Sequence, residues 1–155
     1  MKKILTNYAF LTFFLVLALS VISCKKDEPD PLPEDTSQIT SLTLQLDTNQ
    51  KGHQDATASV QDAAGINGKA GSTVTVDAND SYTGTLVLLD ATQTPTATVT
   101  SDYTVTYQLT GVDASISASG SSPTLTTRTA GSGTLGITMV KGDKTTTVTF
   151  PVTIR

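Results

Sequence analysis

The chain has 155 residues and a formal net charge of −4, and charged residues make up only 15% of it. This length allows one domain of ordinary size. Aromatic residues are 5% of the chain and tryptophan is absent, so the hydrophobic core has to be built mainly from Val, Ile and Leu. The acidic balance disfavours anionic partners, and we expect no binding to nucleic acid.

Residues 1–23 predict a bacterial secretory signal peptide. Lys2 and Lys3 precede an almost continuous apolar run over residues 8–22, and this is the order of the charged and apolar regions of such a leader. The run is shorter than the roughly 20 residues that a transmembrane helix needs. We therefore expect the leader to be cleaved, which removes two positive charges from the mature chain.

The only cysteine, Cys24, follows directly after this run. The preceding residues Val21, Ile22 and Ser23 resemble the lipobox that the lipoprotein signal peptidase of bacteria recognises. The resemblance implies cleavage before Cys24 and acyl chains on that residue. Each buried methylene contributes about 0.8 kcal/mol, so several chains give stable membrane anchoring. The alternative is a free thiol in a secreted chain. With no second cysteine, disulfides within the mature chain are excluded.

Residues 24–38 read as an acidic tether with several prolines, which favours an extended, semi-rigid chain. Within it, Lys26, Asp27 and Glu28 resemble the signal by which Bacteroidota export lipoproteins to the outer face of the outer membrane. The resemblance implies a lipid-anchored, surface-facing location in that membrane. The alternative is a featureless charged linker.

From Ile39 to Arg155, apolar residues alternate with Thr, Ser and other polar residues. A period of two predicts strands with one buried face. Six segments show it, with these apolar residues on one side: Leu42, Leu44 and Leu46; Val74 and Val76; Tyr103, Val105, Tyr107 and Leu109; Ala114, Ile116 and Ala118; Leu135, Ile137 and Met139; Val148, Phe150, Val152 and Ile154.

Three further segments refine this prediction. Residues 86–89 are apolar on both faces, which predicts a central strand covered on both sides. Pro151 lacks an N–H group and places the last strand at or near a sheet edge. The stretch that begins at Asp55 is the only helical candidate, and it is short.

Seven to eight short strands separated by polar turns, over about 115 residues, predict an all-β domain over residues 39–155. The favoured architecture is an antiparallel immunoglobulin-like β-sandwich. A small closed β-barrel is the alternative.

Two blocks of this domain resemble a known family. Residues 82–95 (YTGTLVLLDATQTP) and 130–154 (AGSGTLGITMVKGDKTTTVTFPVTI) are similar to blocks of small Bacteroidota lipoproteins that carry a lipobox, an acidic tether and one β-sandwich domain. Some members are called type 1 periplasmic binding fold superfamily proteins, but the strands here do not fit the two-lobed α/β fold that this name denotes. The resemblance assigns no activity, and the chain departs from the family at the positions that would suggest metal ligands.

The residue types that catalysis needs are scarce. His53, the only histidine, lies in the polar loop TNQKGHQDA, where we expect it to be solvated; a Ser-His-Asp hydrolase would require it as general base. Glu28 and Glu34 are the only glutamates, and both lie in the tether. We expect no enzymatic activity and no cofactor.

Asp77, Asn79 and Asp80 form the one weak metal candidate, since calcium prefers such oxygen ligands. Their spacing does not match an EF-hand loop. The favoured interpretation is a turn that caps the strand beginning at Tyr82.

These observations predict a lipid-anchored outer-membrane β-sandwich that acts as a non-catalytic interaction module, with a TonB-dependent transporter as candidate partner. The first alternative is a lipoprotein that captures a small molecule, metal chelate or glycan, and the second is a structural or adhesive surface module. The aromatic residues available to a ligand are Tyr82, Tyr103, Tyr107 and Phe150. The alternation assigns most of them to the core, which limits an aromatic platform for ligands. Ligand-binding residues and the oligomeric state stay open.

Overall fold

The alternating segments form ten β-strands in the computed structural model, which describes residues 38–118 and 120–155. In chain order they are β1 (Ser41–Thr48), β2 (Ala56–Gln61), β3 (Val74–Val76), β4 (Ser81–Asp90), β5 (Ala97–Thr98), β6 (Thr104–Thr110), β7 (Ala114–Ser117), β8 (Thr124–Thr127), β9 (Gly131–Lys141) and β10 (Lys144–Ile154). A short 3₁₀ turn, Thr100–Asp102, precedes β6.

The sequence predictions for the leader and the anchor concern residues outside the described part of the chain. They involve the lipobox residues Val21, Ile22 and Ser23, the lipidated Cys24, and the export signal Lys26, Asp27 and Glu28. Within the described residues, no helix has the length and apolar character that crossing a membrane requires.

The strands pair into two sheets. One has the order β2-β1-β4-β8-β7, with β5 also paired to β4, and the other has the order β3-β10-β9-β6. All neighbours are antiparallel except β3 and β10. The runs β1-β4-β8-β7 and β6-β9-β10 correspond to the ABED and CFG sheets of immunoglobulin domains. The predicted sandwich is therefore confirmed, and the closed-barrel alternative is not needed, because the strands pair as two separate sheets.

Alternate residues of both sheets face a common core. In β4, every second residue from Tyr82 to Asp90 is buried, and the antiparallel register sets Leu44 opposite Leu86. The prediction that residues 86–89 are covered on both faces is wrong, because Val87 is 36% exposed. The strand is central in its sheet, but a sandwich has only two layers, so the outer face of each sheet meets solvent.

The helical candidate after Asp55 is a strand. Ala56, Ala58 and Val60 are buried on one side of β2, and the residues between them are exposed. Period-two burial against β1 overrides the helix preference of the alanines, because it buries all three apolar side chains at once.

Pro151 lies in β10, one strand in from the edge of its sheet. On the β3 side, the Thr149 N–H donates to the Lys69 carbonyl at 3.2 Å. Pro151 nitrogen faces the same side two residues later, just before the pairing of β10 with β3 begins at Val152 and Val74. The N–H group that Pro151 lacks would therefore point at a position where β10 has no paired strand on that side, just before β3 begins.

The strand registers give the domain two ends. Gln38, the first described residue, donates its N–H to Asp90 Oδ2 at 3.2 Å, where β4 finishes. At the opposite end, where β4 starts, lie residues 49–55, 77–80, 111–113, 128–130 and Arg155. We call this second group the loop end.

Candidate functional site

Asp80 is the centre of a polar network at the loop end. Its side chain is fully buried. Oδ2 accepts a hydrogen bond from Thr48 Oγ1 at 2.6 Å and lies 2.8 Å from His53 Nδ1, while Oδ1 accepts from the Ser81 N–H at 2.6 Å. The segment from Thr48 to His53 and the start of β4 thus meet at one carboxylate.

Tyr82 closes the corner between β3 and β4. It is fully buried, and its hydroxyl accepts a hydrogen bond from the Asp77 N–H, five residues upstream, at 2.8 Å. Immunoglobulin-like sandwiches use a comparable tyrosine at a strand start, bonded back to the chain upstream, to fix a corner between sheets.

Thr127, at the end of β8, joins this corner to the next loop. Its buried hydroxyl donates to the Asp77 carbonyl at 2.7 Å and accepts from the Asp80 N–H at 3.0 Å. The Asn79 N–H donates to the Arg128 carbonyl at 3.1 Å. The corner is therefore fixed by side chain and backbone together.

The outer part of the network holds the loop between β1 and β2. Asp77 accepts from the Gln54 N–H at 3.1 Å and from Arg155 Nε at 2.9 Å. Gln50 Nε2 donates to the Asn79 carbonyl at 3.0 Å. The first loop, the corner and the last residue of the chain are thus bonded to one another.

The charge state of Asp80 follows from its surroundings. Burial acts to raise the pKa of this carboxyl, but the hydrogen bonds from Thr48, His53 and Ser81 outweigh it and hold the pKa below its ordinary value of 3.8. Burial raises the pKa of Tyr82 above its ordinary value of 10.0. Asp80 is therefore ionised at neutral pH beside a protonated Tyr82. Because an ionised carboxylate only accepts hydrogen bonds, Nδ1 of His53 carries the proton between them.

The three residues of the weak metal candidate, Asp77, Asn79 and Asp80, lie close together, but they form a turn between β3 and β4. Asp77 and Asp80 belong to one network, and their oxygens accept hydrogen bonds from protein groups. Asn79 adopts the left-handed conformation with φ of 55°, which suits an asparagine in a turn. Within the described chain, no group of three or more His, Cys, Asp or Glu residues is arranged to hold a metal ion.

The prediction of a solvated His53 is wrong. Its side chain is 28% exposed, and its ring bonds to a carboxylate 27 residues further along the chain. The loop sequence carries no period that could reveal this pairing. The only available signal was that the single histidine and the candidate Asp80 both lie beside strand ends.

A histidine held by an aspartate can serve as a general base when a nucleophile lies at its other nitrogen. Here the hydroxyl of Thr48 bonds to Asp80, and the hydroxyls of Tyr82 and Thr127 bond to the corner backbone. These hydrogen bonds hold the loops of the loop end together.

Comparison of the chain with protein-family models, with curated proteins and with solved structures gives no match.

Proposed function

We propose that this protein is a non-catalytic interaction module, anchored in the outer membrane through lipid on Cys24, which binds a membrane partner through its loop end. The partner we propose is a TonB-dependent transporter, to which the domain is accessory. The observation that carries the proposal is the network around Asp80, which fixes several loops into one surface.

The position of the loop end supports this role. The tether predicted for residues 24–38 leads into Gln38, which bonds to Asp90 at the far end of β4. β4 has ten residues, which corresponds to about 30 Å of extended strand. The loop end is therefore the part of the domain furthest from its junction with the tether, where contact with a neighbouring protein is least hindered.

The order of the loops at the loop end supports a role in binding a partner. Loops that are already ordered lose less conformational entropy when a partner binds. Asn49, Gln50, Lys51 and Arg128 are exposed on this surface, beside the buried Asp80 that fixes it. Exposed residues of mixed polarity favour hydrogen-bonded recognition of a protein surface.

A catalytic role is not proposed, because the hydrogen bond of the His53 ring in the described part of the chain is the one to Asp80. The alternatives of ligand capture and adhesion predict different partners and are decided by the same experiment.

The experiment is crosslinking of the native lipoprotein in its own outer membrane, followed by purification and identification of the attached proteins. The Cys24→Ala variant is the control for membrane anchoring. Lys51→Glu reverses a charge at the loop end, and Lys144→Glu makes the same change at the opposite end of the domain.

We expect a TonB-dependent transporter to be recovered with the native protein and with Lys144→Glu, and to be reduced at least fivefold with Lys51→Glu. Recovery of the lipoprotein without any transporter would contradict the accessory role. Equal recovery with both lysine variants would contradict the loop end as the binding surface.

A further inference from the structure

Strand β6 is the least protected sheet edge among the described strands. The edge strands β3 and β7 have only three and four residues. The edge of β2 is covered by Ser72, whose N–H donates to the Ser59 carbonyl and whose hydroxyl accepts from the Ser59 N–H. β6 has seven residues without charge or proline, paired with β9 in unbroken register. Proteins usually shorten, charge or cover such an edge to prevent pairing with another chain.

The core is also incompletely covered beside this edge. On the inner face of β6, Tyr107 and Leu109 are only partly buried, and so is Ile116 on the adjacent edge strand β7. On the opposite flank, Val60 and Val74 are buried. Apolar surface and unpaired backbone groups therefore lie together at β6.

The sequence of β6, TVTYQLT, reads similarly in both directions. A two-fold axis through Tyr107 would pair two antiparallel copies so that similar side chains face each other. Thr104 would lie opposite Thr110, Val105 opposite Leu109, and Thr106 opposite Gln108. Directly opposite residues share a sheet face. In this register, the core-facing residues of one copy therefore lie opposite the core-facing residues of the other copy. An unrelated strand has no reason to match this symmetry.

We propose that the protein forms a two-fold dimer in which β6 pairs antiparallel with β6 of a second copy, with Tyr107 facing Tyr107 at the axis. The two four-stranded sheets then become one continuous sheet of eight strands. Two-fold dimers are the commonest closed assemblies, and edge pairing adds backbone hydrogen bonds together with side-chain contacts. The interface is formed by β6 itself and not by the loops of the loop end, so it does not rest on the proposed function.

The register gives a sharp crosslinking test in native membranes. Two differently tagged full-length chains, one with Thr104→Cys and one with Thr110→Cys, are coexpressed and oxidised. We expect a disulfide between the two tags, because these positions face each other across the axis. Thr104→Cys alone is the control, since its two copies would lie about 20 Å apart along the strands. Absence of the mixed disulfide, or equal crosslinking of the control, would overturn the proposal.

A second test measures mass by sedimentation of the full chain in detergent. Thr106→Lys adds a charge to the β6 edge, and we expect the dissociation constant to rise at least tenfold. Thr149→Lys is the matched control, because Thr149 is exposed on β10, which has neighbours on both sides. We expect this variant to stay dimeric, and far-ultraviolet circular dichroism checks that both variants fold. A monomeric wild type, or a Thr106→Lys variant with an unchanged dissociation constant, would contradict the proposed dimer.

Discussion

Asp80 shows how one residue can organise several chain segments in a domain with few charges. Thr48 reaches it from the end of β1, His53 from the loop that follows, and Ser81 from the start of β4. Burying a carboxylate is costly unless its oxygens are bonded, and here the partners supply those bonds. The same bonds fix the loops, so burial of Asp80 and order at the loop end depend on each other.

The variant Asp80→Asn tests this dependence. The amide keeps the size of the side chain, but it loses the charge and turns an NH₂ group toward donors such as Thr48 and His53. We expect the free energy of unfolding to fall by about 2 to 4 kcal/mol, since hydrogen bonds to charged groups contribute about 1.5 to 3 kcal/mol each. Urea denaturation measures the change. Asp47→Asn, on an exposed position of β1, should change stability by less than about 0.5 kcal/mol; similar losses for both variants would refute the central role of Asp80.

The crossing from β2 to β3 shows what decides packing at the scale of an element. The chain leaves one sheet at β2 and enters the other at β3, passing Gly71 on the way. The backbone of Gly71 lies against the ring of the buried Phe150, so that a Cβ atom would have no room. Glycine is needed here for close approach, because the segment seals one side of the core.

The variant Gly71→Ala is therefore expected to destabilise the domain. The added methyl group must displace the Phe150 ring or the backbone, and overpacking of this kind costs about 1 to 3 kcal/mol. Thermal unfolding followed by circular dichroism measures the loss. Gly136→Ala on β9 is the matched control, since its nearest heavy atom, the Gln108 carbonyl oxygen, would lie 3.8 Å from the new Cβ. If both variants unfold at the same temperature, the close approach at Gly71 does not constrain the fold.

At the scale of the whole molecule, two buried carboxylates hold the two ends of the central strand β4. Asp80 precedes it, and Asp90 ends it with hydrogen bonds from Gln38, Thr92 and Gln93. Burial acts to raise the pKa of Asp90, but these bonds outweigh it and hold the pKa below 3.8. Both ends of the domain therefore depend on an ionised aspartate.

Acid should consequently destabilise the protein. A carboxyl whose pKa is lower in the folded chain contributes stability that is fully present above its unfolded pKa, and this stability is lost as the pH falls through the folded value. We expect the urea midpoint to be constant near pH 6 and to decrease below about pH 4. In Asp90→Asn the decrease should be shallower, because one of the carboxyl groups with a lowered pKa no longer titrates. A midpoint that does not change between pH 6 and pH 3 would contradict this account.

The sequence by itself determined which residues face the core in most strands. Leu44, Val76, Ile137 and Phe150 are buried as the alternation predicts, because the direction of a strand side chain depends only on the local backbone. The all-β class and the sandwich followed from repeating that local rule. Asp77, Asn79 and Asp80 lie together between β3 and β4, since turn residues act within a few positions of each other.

Only the tertiary structure decided which strand ends meet. It placed β2 and β3 in different sheets, left β6 as an unprotected edge, and brought His53 to Asp80. Strand pairing depends on how the whole chain packs, and alternation sets the face of a residue but not its neighbour. Loop side chains such as His53 have no period at all, so their partners become known only once the strand ends have been positioned.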